Sequence, residues 1–260
     1  MRELSLVLLT AVTLLALDAS AGEYAGRGGW GAKESIFRVR CGVTTATGLQ
    51  EVDLGTAFGH KSGNVLSANH VVEPCLKVSG HLKLAASDQS VSSAAVLISD
   101  AALDLVLLKP DAGFVKNPLQ IASSDKFTMG AQVTSWGFPA GYSGNIALLT
   151  VGYLAGVVSD ENHPSIRRWA VNAALNNGNS GGPLLETDSP AVIGVVIQKL
   201  SPLMPGVASQ LKTLSESGSP EARILAQAMV DIGRRAQVVI GYSVILNDLR
   251  DFLQRGGVEP

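Results

Sequence analysis

The sequence predicts a mainly β chain whose helices are confined to its last quarter, and three observations carry that expectation. Short apolar runs alternate with polar, glycine-bearing turns: Gly55-Thr56-Ala57-Phe58 and Val65-Leu66-Ser67-Ala68 flank His60-Lys61-Ser62-Gly63-Asn64. Leu105-Val106-Leu107-Leu108 is apolar at consecutive positions, as in a strand buried on both faces. Helix start and stop signals gather only late, around 220–234 and 247–255. A chain of 260 residues is long enough to bury an ample core within one unit.

Taken in order, Met1-Arg2-Glu3, an apolar stretch at 4–17 and Asp18-Ala19-Ser20-Ala21 have the layout of a secretory signal, with cleavage expected after Ala21. Spanning a bilayer takes about 20 apolar residues, so a cleaved signal is expected and no stable membrane insertion of the mature chain. Residues 22–33 are rich in glycine and expected to be poorly ordered. His70 falls just past the second of the two strands, where a fold can present a side chain without burying it. Asp104 stands at the mouth of the 105–108 strand. A carboxylate there needs a donor, and an imidazole N–H supplies one while having its own tautomer fixed in return. Asp100 is the rival, but only Asp104 abuts the apolar run.

Gly178-Asn179-Ser180-Gly181-Gly182-Pro183 sets a serine between glycines, the way several unrelated hydrolases expose a nucleophile. Alone, such a stretch is more often an ordinary turn. It fits the nucleophile elbow of α/β-hydrolases, but that fold needs its histidine after the serine, and His60, His70, His81 and His163 all precede Ser180. The order His, Asp, Ser stays open, and Asp, His, Ser is not excluded by counting. His163 lies in a solvated-looking Asp160-Glu161-Asn162-His163-Pro164 loop, and His60 and His81 have no supporting context.

In these contexts the chain resembles trypsin-like serine proteases, closest to the HtrA or Deg branch. The resemblance is carried by Gly55-Thr56-Ala57-Phe58, Leu66-Ser67-Ala68-Asn69-His70-Val71-Val72, Asp104-Leu105-Val106-Leu107-Leu108-Lys109, Gly137-Phe138-Pro139, the 171–184 segment and Ile240-Gly241-Tyr242-Ser243-Val244. It implies two six-stranded antiparallel β-barrels in a single protease domain at 34–260, barrel one at about 34–116 and barrel two at about 119–255, with the site in the cleft between them. It implies a serine endopeptidase with Ser180 as nucleophile, His70 as base, Asp104 orienting the base, and the N–H groups of Gly178 and Ser180 as oxyanion hole. Ala174, six residues before the nucleophile, would line the primary pocket. With no acid there to hold Lys or Arg, cleavage after small or medium aliphatic residues is expected. Ile197, Gln198 and Lys199 would offer a sheet edge to a protein or peptide substrate.

Two departures bear on control. Asn179 stands where trypsin-type zymogens use an aspartate to pair with a new N-terminus, and Asn177 stands where the HtrA branch usually has proline. The PDZ modules usual in that branch are not expected, and its bacterial setting points to a secreted or periplasmic protein. In such an oxidising compartment Cys41 and Cys75 are expected to form a disulfide that braces the His70 loop, two buried free thiols being the alternative.

The unexpected region is an insertion at 201–237, punctuated by Pro202, Pro205, Gly206 and Ser215-Glu216-Ser217-Gly218-Ser219-Pro220. A short amphipathic segment at 207–214 precedes a clearer helix at 220–234, with Ser219 as N-cap and Pro220 as first residue. Ile224, Leu225, Ala228, Met229 and Ile232 share one face, which should be buried: on the protein's own barrel, or as a lid or partner surface beside the substrate cleft. A final helix at 247–255 would close barrel two. A net charge of −2 without a basic stripe argues against nucleic acid as partner. Two cysteines and four dispersed histidines make no metal-ligand spacing, and no cofactor is expected. The competing class is a non-catalytic binding protein on the same scaffold, with an esterase as a third reading.

Overall fold

The structure, a computed structural model, describes residues 30–260 apart from 47, 125, 188–190, 200–204, 217 and 236–238. The expected signal at 1–21, most of the 22–33 stretch and both ends of the insertion lie outside the described residues.

Six strands, β1 (Ile36–Thr45), β2 (Gly48–Gly59), β3 (Val65–Ser67), β4 (His81–Ala85), β5 (Val91–Asp100) and β6 (Leu105–Pro110), close into a barrel in the order β1-β2-β3-β6-β5-β4. Six more, β7 (Gln132–Gly137), β8 (Leu148–Ser159), β9 (Arg167–Ala173), β10 (Pro183–Glu186), β11 (Val192–Lys199) and β12 (Ile240–Ile245), close a second barrel in the order β10-β11-β12-β9-β8-β7. Neighbouring strands are antiparallel, as the two-barrel expectation requires. Closure leaves no sheet edge unpaired over most of the circumference.

The consecutive apolar run of β6 is buried as its pattern implies, since Leu105, Val106, Leu107 and Leu108 are all fully buried. His70 is not in a plain loop. It sits in the first turn of α1 (Asn69–Lys77), a helix whose spacing of Val71, Val72 and Cys75 forms its buried face. A disulfide joins Cys75 to Cys41 of β1, with Cα atoms 5.5 Å apart, and so ties that helix to the barrel wall. Gly80 lies against both sulfurs, at a place a Cβ would fill.

Three further helices follow: α2 (Pro205–Ser215), α3 (Pro220–Arg235) and α4 (Leu246–Arg255). Ser219 begins α3 as expected, its Oγ accepting the N–H of Ala222 at 3.3 Å. The face assigned to that helix is corrected, however. Ile224 and Ile232 are 71% and 68% exposed, and Leu225, Ala228 and Met229 are exposed as well. What α3 buries is Ala226, with Ala222 and Val230 half-buried beside it, a stripe four residues apart that a paired helix can meet. Its main neighbour is α2, where Leu211 is buried. The final helix also does more than close barrel two. Leu249, Phe252 and Leu253 are fully buried, and α4 touches β6 of barrel one as well as β11 and β12. Burying Phe252 alone is worth about 1.5–3 kcal/mol, so α4 clamps the two barrels together.

Candidate active site

The turn between β6 and its predecessor presents Asp104 in a left-handed conformation, φ +59°. Its two carboxylate oxygens have separate tasks. Oδ1 accepts the backbone N–H of His70 at 2.9 Å, and Oδ2 meets the ring Nδ1 of His70 at 2.7 Å. The carbonyl of Asp104 accepts the N–H of Asn69 at 3.2 Å. Asp104 thereby caps the start of α1 from another segment, which Ala68 at the N-cap position cannot do with its own side chain. With Nδ1–H donated to the carboxylate, the lone pair is left on Nε2. The His70 side chain is 47% exposed and that of Asp104 22%, so the imidazole is open to solvent while its partner is sheltered.

Ser180 lies between β9 and β10 on a turn that packs on barrel one. Its carbonyl accepts the N–H of Thr56 at 2.9 Å, and Gly181 lies against Ser67 and Ala68, just before His70. The Ser180 hydroxyl donates to the carbonyl of Ile197 at 3.3 Å. Among the described residues neither the N–H of Gly178 nor that of Ser180 has an acceptor. Gly178 has φ +93°, and a Cβ there would run into the carbonyl oxygen of Phe138. The Asn177 carbonyl accepts the N–H of Ala140 at 2.7 Å. Because the two ends of a trans peptide point opposite ways, that bond turns the Gly178 N–H away from residues 138–140. Asn179 is buried, and its N–H bonds the carbonyl of Asn176 at 3.0 Å.

The turn is fastened by side chains that sequence reasoning did not single out. Thr56 Oγ1 donates to the Gly178 carbonyl at 2.6 Å and accepts the N–H of Phe138 at 3.0 Å. Arg38, opposite Thr56 on β1, is buried and lies over the Phe138 ring at 4.5 Å. It donates to the carbonyls of Tyr142 at 3.1 Å and Gly144 at 2.5 Å, and it pairs with Asp53. A charged residue flanked on both sides by apolar ones, Arg38 in Ile36-Phe37-Arg38-Val39, is the signal that could have marked it.

The remaining sequence candidates divide. Ile197 is buried at a bulge where β11 leaves its register with β12, and its carbonyl faces Ser180. The side chains of Gln198 and Lys199 lie outside the described residues, while Ala174 is exposed just beyond β9. His163 is in the loop bonded to Asp160, away from this cluster. His60 is fully buried at the end of β2, its ring bonded to Ser62, and burial followed by the charge of Lys61 lowers its pKa to about 4. Among the described residues no three His, Cys, Asp or Glu side chains gather as a metal site would need, and no helix is long and apolar enough to cross a membrane.

Comparison with known proteins gives the chain a family and a fold. A family model described as a trypsin-like peptidase domain matches residues 55–195. Among curated relatives, the chain is 30% identical over 155 residues to the serine protease Do-like HtrA of Bacillus subtilis, covering 56% of this chain and 33% of that protein. It is 28% identical over 188 residues to the periplasmic pH-dependent serine endoprotease DegQ of Escherichia coli, covering 72% of this chain and 39% of that one. The chain thus spans about a third of the length of such relatives. In fold it is similar to a protease of M. tuberculosis solved in its active form, with a TM-score of 0.60 at 19% identity, covering 88% of this chain and 84% of that one.

Proposed function

Given that the chain belongs to the trypsin-like peptidase domain family, we propose that it is a serine endopeptidase working through Ser180, His70 and Asp104. The observation that carries the reading is the hold of both Asp104 oxygens on His70 beside a turn whose Gly178 and Ser180 N–H groups have no acceptor among the described residues. A serine hydroxyl is a weak nucleophile at neutral pH, so it depends on a base. His70 Nε2 takes the Ser180 proton as Oγ bonds to the scissile carbonyl carbon, and the C–O π pair moves onto oxygen. The Gly178 and Ser180 N–H groups stabilise that oxyanion. His70 then passes the proton to the leaving amine as the C–N bond breaks, and water reverses the sequence to free the acyl group. Asp104 stabilises the imidazolium throughout.

The resting bond from Ser180 to the Ile197 carbonyl fits this cycle. An extended substrate pairing along Ile197 would take that carbonyl for its own N–H and leave the Ser180 hydroxyl to His70. Ala174 carries no charge, which supports a preference for small or medium aliphatic residues before the cleaved bond. Export to an envelope compartment, as in the periplasmic DegQ of E. coli, fits the disulfide and the signal-like 1–21 segment. The test is hydrolysis of a peptide library by the wild type and by Ser180→Ala and His70→Ala. Each variant should lose about 10⁴-fold or more in kcat. Turnover that survives in both would overturn the assignment, and a preference for Lys or Arg would overturn the specificity.

A further inference from the structure

Arg168 stands near the start of β9, in barrel two. Strand alternation sends Trp169, Val171 and Ala173 into that barrel's core and turns Arg168 outward, toward barrel one. Its side chain is only 4% exposed. Nη1 donates to the carbonyl of Leu103 at 2.9 Å and Nη2 to the carbonyl of Ala102 at 2.8 Å. The third donor, Nε, reaches Asp160 at 3.0 Å, which partners the buried charge and fixes the plane of the fork. Burial pushes the Asp160 carboxyl upward, but the Arg168 bond and the N–H groups of Asn162 and His163 outweigh it and hold it below the usual range.

The two carbonyls belong to the residues directly before Asp104. That residue occupies a left-handed conformation, which costs a non-glycine residue on the order of 1 kcal/mol and persists only where its surroundings enforce it. Asp100 holds the other polarity of the same turn. Its Oδ1 accepts the N–H groups of Ala102 at 3.0 Å and Leu103 at 2.9 Å, and its Oδ2 is paired with Arg255 of α4 at 2.8 Å. The turn is therefore gripped by its N–H groups from within barrel one and by its carbonyls from barrel two.

We propose that Arg168 is a positioning residue for the reaction, setting the Asp104 carboxylate against His70 from the opposite barrel. The proposal rests on the reading of Asp104 and His70 as orienting group and base. It makes a correctly placed triad conditional on docking of the two barrels, with the nucleophile and the clamp both supplied by barrel two. Three donors in one rigid plane are required, so lysine, with a single ammonium on a flexible stem, keeps the charge but loses the geometry. Displacement of a reacting constellation by about 1 Å can cost roughly 100-fold in rate.

The experiment uses Arg168→Lys and Arg168→Gln in the full chain, with thermal unfolding to measure how much of each is folded. On a peptide substrate, kcat should fall roughly 10- to 100-fold while KM stays within about twofold, with lysine retaining more than glutamine. In a Ser180→Ala background, where no turnover is needed, the low-field proton resonance of the His70 Nδ1–H bonded to Asp104 should shift or broaden in both variants. Should the glutamine variant not fold, the lysine variant decides. Folded variants with unchanged kcat, or an unshifted resonance, would overturn the proposal. A wild type without turnover would instead sink the reading of the activity, and the resonance would still report whether Arg168 holds Asp104 on His70.

Discussion

Thr56 and Gly178, on different barrels, share a hydrogen bond of 2.6 Å, from the threonine hydroxyl to the glycine carbonyl. The same hydroxyl accepts the Phe138 N–H, so one side chain joins three segments around the turn that carries Ser180. Thr56→Val keeps the shape but leaves a carbonyl and an N–H without partners. Stranding such groups costs about 1–3 kcal/mol, so kcat should fall roughly 10- to 100-fold, with Thr56→Ser close to wild type. Equal kcat in the valine and serine variants would show that the hydroxyl does not set the turn.

Gly178→Ala probes the same turn from inside. The new Cβ would meet the Phe138 carbonyl, and φ +93° is strained for any residue with a side chain. Relief requires the 177–178 peptide to rotate, which breaks the Ala140 to Asn177 bond and withdraws the Gly178 N–H from the oxyanion position. Loss of one oxyanion donor costs about 10²- to 10³-fold in kcat. KM should change little, and steady-state kinetics on a peptide substrate separate the two.

His60 gives the protein an acid sensitivity away from the site. The group is fully buried, its Nε2 has no partner among the described residues, and its pKa is lowered from 6.5 to about 4. Because the unfolded chain binds the proton more readily than the folded one, the stability linked to His60 is fully present above pH 6.5 and is lost as pH falls toward 4. The loss amounts to at most roughly 3–4 kcal/mol. Melting curves of the wild type and His60→Gln between pH 7 and 4 should converge or cross as the wild type weakens faster, whereas parallel curves would contradict this origin.

The disulfide closes a loop between residues 34 apart in sequence. In the loop-entropy account such a crosslink is worth about 4 kcal/mol. Replacing both cysteines by alanine should therefore lower the urea midpoint markedly, and urea unfolding with the slope fitted separately for each protein would measure the loss, since freeing the unfolded chain changes the slope as well. Since Cys75 is on the helix that carries His70, kcat should fall as well. A double variant with wild-type stability would mean the bridge constrains little.

Much of this architecture is legible in the sequence because its signals are local. The apolar run of residues 105–108 writes a buried strand, and His70, Asp104 and Ser180 each sit in a short recognisable context. What holds them is not local. Arg38, Thr56 and Arg168 act across the barrel interface, so their roles depend on where residues far away in sequence come to lie: 122 positions separate Thr56 from Gly178 and 65 separate Arg168 from Leu103. In the insertion the helix and its Ser219 cap are legible, but the covering of its apolar face is not. Periodicity marks Ile224, Leu225, Met229 and Ile232 as one face of a helix, but the pattern says nothing about what covers that face, and in α3, which packs on α2, the small residue Ala226 is buried instead.

The central claim is that Ser180 is a nucleophile activated by His70, and covalent capture addresses it without any choice of substrate. A fluorophosphonate probe should label the wild type once per chain, at Ser180 by peptide mass, label His70→Ala far more slowly, and leave Ser180→Ala unlabelled. Well-folded wild type that takes up no label, or Ser180→Ala that labels as fast as the wild type, would contradict the account.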